Sequence, residues 1–201
     1  IRLSLVGSEM CIRDSIHNHG GHVSYKTVSF KGSKRKLLTH IEKRIKEVEP
    51  TEVLDGFSGT GIVSAHLRFL GYKVYASDKM PSCNLFASVF LNGFDLTAVA
   101  KHIEHINWLT GRSGWITGNY AGERKRLIKG VNQVESRPLG FTEANAMKLD
   151  VARDYAELIA DENDRNAVIF SIILAMDKVF NNTNDQKSCL KDWTAAALSD
   201  I

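Results

Sequence analysis

The chain lacks the marks of several protein classes. Its three cysteines, Cys11, Cys83 and Cys189, are far apart and form no CxxC pair. That excludes a zinc ribbon and a disulfide framework and suits a reducing cytoplasm. No apolar run approaches the roughly 18 residues of a membrane-spanning helix, so no membrane partner is expected. There are three prolines, Pro50, Pro81 and Pro138, none adjacent to another. Neither sign of charge dominates: 26 Lys and Arg stand against 23 Asp and Glu, a formal net charge of +3. This permits a nucleic-acid partner without requiring one. What is present, 43% hydrophobic and 24% charged residues over 201 positions, is the composition of a globular domain long enough to bury a core.

The opening IRLSLVGSEMCIRDS does not begin with Met, and its apolar run is broken by Ser4, Gly7 and Ser8. VGSEMCIRDS resembles translated sequencing-adaptor sequence. Residues 1–15 are therefore set aside from fold reasoning, and the chain is expected to be a fragment. His17, His19 and His22 crowd together, but they abut this region and sit among glycines. A flexible lead-in over 1–22 is expected, with no metal ligand assigned.

From Ser33 the pattern turns helical. Leu37, Leu38, Ile41, Ile45 and Val48 recur at three- and four-residue spacing, with Ser33 as the expected N-cap and Pro50 as the stop. Val53-Leu54-Asp55 reads as a short strand breaking into Gly56-Phe57-Ser58-Gly59-Thr60-Gly61. A helix follows through Ile62, Ala65 and Leu67 to Gly71, then a strand over 72–76 leading to Asp78, then helices over 83–92 and 96–109. This order predicts a βαβ unit with a helix in front.

Residues 110–140 are glycine-punctuated and basic: Arg112, Arg124, Lys125, Arg126, Lys129 and Arg137 face only Glu123 and Glu135. The stretch is expected to be a functional or disordered loop. Three helices should follow. One covers 142–160 with Thr142 as cap. The next carries the stripe Val168, Ile169, Ile172, Ile173, Met176, Val179 and Phe180, and the last holds Leu190, Trp193 and Ala197. Cys83, Met176 and Trp193 fall in these stripes and are read as core. The expected division is a lead-in (1–22), a cofactor-binding α/β portion (23–109), a basic loop (110–141) and a helical segment (142–201).

The strongest chemical signal is the glycine loop between strand and helix. Its glycines let backbone approach a ligand, and the helix start offers free amides. Asp78 lies at the end of the second strand, 17 residues after Gly61, where a carboxylate can accept both ribose hydroxyls of an adenosine cofactor. The phosphate-binding spacing G-x-G-x-x-G is not met, because Ser64 stands where the third glycine belongs. Asp55, at the loop's start, would repel a pyrophosphate and suits the cationic methionine half of S-adenosylmethionine.

Phe30-Lys31-Gly32-Ser33-Lys34, then Asp55 to Gly61, then Asp78 together resemble the opening motifs of adenine-specific DNA methyltransferases. The branch resembled includes Dam-like and restriction-modification enzymes, whose cofactor motifs precede the catalytic one. The resemblance runs on through Gly140 to Ala146 with Asp150 and Arg153, through Ala175 to Val179, and through Leu190 to Trp193. It implies an α/β, partial Rossmann-like methyltransferase fold, an N-terminal βαβ unit followed by a helical segment. It also implies S-adenosyl-L-methionine as cofactor, double-stranded DNA as partner, a monomer in the cytoplasm, and a system that can include a cognate restriction endonuclease. By the same resemblance Phe30 and Lys34 border the cofactor pocket. Asp55, Gly56, Phe57, Ser58, Gly59, Thr60 and Gly61 hold its methionine half, Asp78 its ribose, and Lys79 and Met80 lie near its adenine.

The family's Asp/Asn-Pro-Pro-Tyr/Phe motif supplies acceptors for the hydrogens of the target amine and an aromatic ring for the extruded base. No two prolines adjoin in this chain, so no catalytic residue is assigned. The chain is expected to stop before that motif and to be inactive as it stands. Residues 110–140 would then face DNA, with Arg112, Arg124, Lys125 and Arg126 on phosphates and Trp115 or Tyr120 near bases. The alternatives are a methyltransferase acting on RNA or on cytosine's amine, a non-catalytic DNA-binding module, and a nicotinamide oxidoreductase that Ser64 and Asp55 disfavour.

Overall fold

The computed structural model describes residues 18–19, 22–23, 27–28, 32–127, 134–182 and 189–201. Helix and sheet are mixed, and each sheet has two strands. The first is a short antiparallel pair, β1 (Asn18–His19) with β2 (His22–Val23); the rest of the expected lead-in over 1–22 lies outside the described residues. The second is a parallel pair, β3 (Glu52–Asp55) with β4 (Lys73–Ala76), and the third an antiparallel pair, β5 (Glu123–Leu127) with β6 (Val134–Pro138). The helices are α1 (Leu38–Val48), α2 (Ile62–Phe69), α3 (Pro81–Asn92), α4 (Leu96–Trp108), α5 (Trp115–Tyr120), α6 (Glu143–Ala156), α7 (Glu162–Val179) and α8 (Ala195–Leu198).

The β3–α2–β4 order follows the expected pattern. Leu54 pairs with Tyr75 in the parallel register, and both are exposed, while Val53, Asp55, Val74 and Ala76 are half-buried on the other face. That alternation is the two-residue period of a strand covered on one side, and α2 and α3 pack against β4. α3 opens with Pro81, whose missing N–H costs nothing in a first turn.

The main core lies among the helices. Phe170 of α7 meets Phe86 and Phe90 of α3 with ring centroids 5.4 and 5.6 Å apart, tilted and edge-on respectively. These are the geometries that ring quadrupoles favour. Ile103 and Ile106 of α4, Leu149, Ala152 and Ala156 of α6, and Val168 and Ile172 of α7 complete it. Cys83 is buried, and Met176 packs against this core. Helix starts are capped by side chains, as Thr142 was expected to do: Asp95, Thr142 and Asp161 each accept from an amide in the first turn that follows. Asp164 Oδ1 also accepts from the Asp95 amide at 2.8 Å, tying the starts of α4 and α7 together.

Four expectations are corrected. Ser33 does not cap α1, because a 3-10 turn over Arg35–Leu37 comes first and closes through Leu37 N–H to Lys34 O. The predicted apolar stripe of α1 buries Leu38 alone, and Val48 is exposed. Residues 110–140 are not a structureless loop: they hold α5 and the β5–β6 hairpin, whose ladder satisfies backbone groups without needing an apolar face. The last helix excludes Leu190 and Trp193, for which Asn181 is responsible. Fully buried, it accepts the Leu190 amide on its carbonyl and the Thr194 amide on Oδ1, and donates Nδ2 to Asp192 O. These bonds hold 190–194 in an irregular path.

Candidate functional site

The glycine loop and the residues after β4 meet at the carboxyl ends of the two parallel strands. Ser77 N–H donates to Asp55 O at 2.9 Å, and Ser58 N–H donates to Ser77 O at 3.1 Å. The loop is thereby stitched onto the end of β4. Gly59 adopts φ 51° and Gly61 φ 73°, left-handed values that favour glycine. Gly61 is also a point of close approach: a Cβ there would stand 3.1 Å from Phe90 Cδ2 and 3.2 Å from the Ala87 backbone. The loop turns tightly at Gly61 because α2 starts there directly against α3.

Asp78 is the centre of the arrangement. Its Oδ2 accepts from Gly59 N–H and its Oδ1 from Met80 N–H, both at 2.9 Å. The amides of Met80 and Gly59 hold its carboxyl below the ordinary carboxylate range. Asn84 brackets the Asp78 backbone, taking its N–H on Oδ1 at 2.8 Å and giving Nδ2 to its carbonyl at 2.9 Å. The Cys83 thiol and the Lys79 amide lower the carboxyl pKa more weakly, so the carboxylate is an acceptor on which several protein donors converge.

Asp55 is half-buried at the end of β3, and its Oδ2 accepts from Ser64 Oγ at 2.7 Å. Its other oxygen makes no hydrogen bond among the described residues. Ser58 and Thr60 are buried, and Ser58 Oγ has no hydrogen-bond partner among the described residues. Gly56, Phe57, Lys79 and Met80 are exposed around them. The structure thus brings together Asp55 to Gly61 and Asp78 to Met80. Lys34 is exposed and turns its Nζ to Gly32 O at 3.0 Å, not to either loop. Phe30 lies outside the described residues.

A second region surrounds the hairpin. α5 is short, and its amino end is held by a residue from another helix: Asp150 of α6 accepts from Ile116 N–H, Thr117 N–H and Thr117 Oγ1 at 2.7–2.8 Å. Burial pushes the Asp150 carboxyl up, and the bonds from Thr117 and Ile116 outweigh it, so its pKa is lowered. At the other end of α5, Phe141 N–H donates to Tyr120 O, and Gly122 N–H donates to Phe141 O. These bonds anchor the base of the hairpin to the start of α6.

Within the hairpin, Arg124 is directly opposite Arg137, and the Arg126 backbone pairs with Glu135. Arg124 and Lys125 are exposed, and the Arg126 side chain lies outside the described residues. Arg112 differs from the others: its guanidinium is paired with Asp154 at 2.8 Å on the surface. Trp115 and Tyr120, at the two ends of α5, have ring centroids 5.4 Å apart and are both exposed. They border an apolar cavity of about 790 Å³ between α5, α6 and α7, lined deeper in by Phe141, Ile172, Met176 and Phe180.

Ser64, Asn84 and Asp150 have positions that sequence reasoning did not assign. A polar residue at the third-glycine position is a local signal for Ser64. The other two act on backbone that only the tertiary fold brings near. Among the described residues no group of three His, Cys, Asp or Glu is placed to hold a metal ion, and no helix is long and apolar enough to cross a membrane.

No curated protein and no solved structure matches the chain. Residues 30–201, from the basic run before α1 onward, match the family described as D12 class N6 adenine-specific DNA methyltransferase. With that match spanning most of its length, and with a strand–glycine loop–helix–strand–acid arrangement at the head of it, the chain belongs to the D12 class N6 adenine-specific DNA methyltransferase family.

Proposed function

We propose that the carboxyl ends of β3 and β4 bind S-adenosylmethionine, in a partial Rossmann-like fold, and that the protein contributes to methylating adenine in double-stranded DNA. The observation that carries this reading is the pair of carboxylates, Asp55 and Asp78, that the fold brings to either side of a glycine loop. The donor set fits the cofactor. Asp78 is a half-buried carboxylate at the end of β4 that can accept from ribose hydroxyls, and Asp55 Oδ1, with no partner among the described residues, can accept from an ammonium group. Gly61 lies too close to α3 to carry a side chain without displacing it, and the Ser58 hydroxyl has no partner among the described residues. A pyrophosphate would find Asp55 repulsive, which favours a cofactor with a cationic half over a dinucleotide.

When bound, the cofactor supplies an electrophilic methyl on a sulfonium. The residues of this chain bind and orient. Asp78 takes the ribose, Asp55 the methionine amino group, and Gly56, Phe57, Ser58, Gly59, Thr60 and Gly61 the backbone side of that half. Phe30, Lys34, Lys79 and Met80 border the pocket. The Asp/Asn-Pro-Pro-Tyr/Phe tetrapeptide that accepts the amine hydrogens in the family is not among the 201 residues. The roles assigned to these residues are therefore binding and orientation alone.

Double-stranded DNA is the partner for the hairpin. Arg124, Lys125 and Arg126 sit on one strand of the hairpin, and the exposed Arg124 and Lys125 side chains can pair with duplex phosphates. Arg112 contributes less, because it must leave Asp154 to reach a phosphate. The test is calorimetric titration with S-adenosylhomocysteine. Asp78→Ala is expected to weaken binding by about tenfold or more through lost charged hydrogen bonds. An unchanged dissociation constant would remove Asp78 from the ribose role.

A further inference from the structure

The geometry points to Ser64 as a positioning residue that makes the site selective for the amino-acid half of the cofactor, through Asp55. This inference rests on the cofactor reading above and adds a residue to it. Ser64 occupies the third position in α2 and is fully buried, with a relative exposure of 0%. In the phosphate-binding version of this loop the corresponding residue is glycine, which lets helix and strand pack closely. Here a hydroxymethyl group fills that space, and its hydroxyl donates to Asp55 Oδ2 at 2.7 Å.

That bond has two consequences. It holds the Asp55 side chain in one orientation at the end of β3, with Oδ2 satisfied and Oδ1 free to accept from outside. It also gives the half-buried Asp55 side chain a hydrogen bond where no Lys or Arg is paired with it among the described residues. A cofactor bearing an ammonium group completes the set, and one bearing a pyrophosphate meets a carboxylate held in its path. The residue that breaks the glycine consensus is thus the one that orients the discriminating acid.

Two ligands separate this role from a merely structural one. S-adenosylhomocysteine carries the amino-acid half, and 5′-deoxy-5′-methylthioadenosine has the same adenosine and thioether without it. For Ser64→Ala, calorimetric titration should show affinity for S-adenosylhomocysteine reduced roughly tenfold, with methylthioadenosine affinity within about twofold of wild type. Asp55→Asn should show the same selective loss, and adding Ser64→Ala to it should cost little more, since both act through one carboxylate. Equal losses for both ligands in Ser64→Ala would overturn the inference, as would no loss for either, and so would losses in the double variant that simply add. If the wild-type protein binds neither ligand, the cofactor reading itself fails and this inference fails with it. If wild type binds both and only the Ser64 pattern is missing, the inference alone is wrong.

Discussion

Gly61 carries two constraints at once, a left-handed backbone at φ 73° and contact with the Ala87 backbone and Phe90 ring. An alanine there has to adopt an unfavourable backbone and force α2 away from α3. We expect Gly61→Ala to destabilise the protein by about 1–3 kcal/mol in urea unfolding. Gly56, in the same loop, would meet nothing within 4 Å if given a Cβ, so Gly56→Ala serves as the control and should change stability far less. The glycines of the loop were legible in the sequence as a set, because their spacing between a strand and a helix has few other uses. Which of them is obligatory was not legible, since that depends on α3 arriving over Gly61. The same limit applied to Ser64: its departure from consensus was visible, and its bond to Asp55 was not.

At the scale of elements, β3, α2 and β4 were readable because apolar runs, glycines and helical spacing all agree there. The β5–β6 hairpin was not. Arg124 to Arg126 give no apolar alternation, and six cations among glycines resemble a solvated loop. What makes it a hairpin is a backbone ladder anchored by Phe141 to Tyr120 and Gly122. α5 depends on Asp150 in a similar way, as six residues are too few for a helix to persist unaided. Asp150→Asn replaces a carboxylate that serves three donors with a group that has one acceptor oxygen, and a loss of about 1.5–3 kcal/mol is expected. The pH dependence has a definite sign. The folded pKa of Asp150 is lowered, so its stabilisation is fully present above the unfolded value near 3.9 and is lost as pH falls through the lower folded value. Acid unfolding curves of wild type and Asp150→Asn should therefore converge at low pH. A gap that stays constant down to pH 2 would show that the carboxylate charge is not what matters.

For the whole molecule, the core and the candidate site meet where Gly61 packs on α3. The aromatic and aliphatic core joins α3, α4, α6 and α7, whereas the two strands that carry Asp55 and Asp78 leave Leu54 and Tyr75 exposed on one face. Helical spacing in the second half made Leu149, Ala152, Ala156, Val168 and Ile172 readable as core, whereas Phe170, Phe86 and Phe90 of α3, and Ile103 and Ile106 of α4 were not singled out. The path of 190–194 was hidden because it is imposed by one buried amide, Asn181, far from any local signal. The central claim, that this family member binds a sulfonium cofactor at the ends of β3 and β4, is tested most directly by one competition experiment. The wild-type protein is titrated with S-adenosylhomocysteine in a calorimeter, alone and in the presence of excess NAD. Binding is expected to be unchanged by NAD. Displacement by NAD, or the absence of any S-adenosylhomocysteine binding, would contradict it.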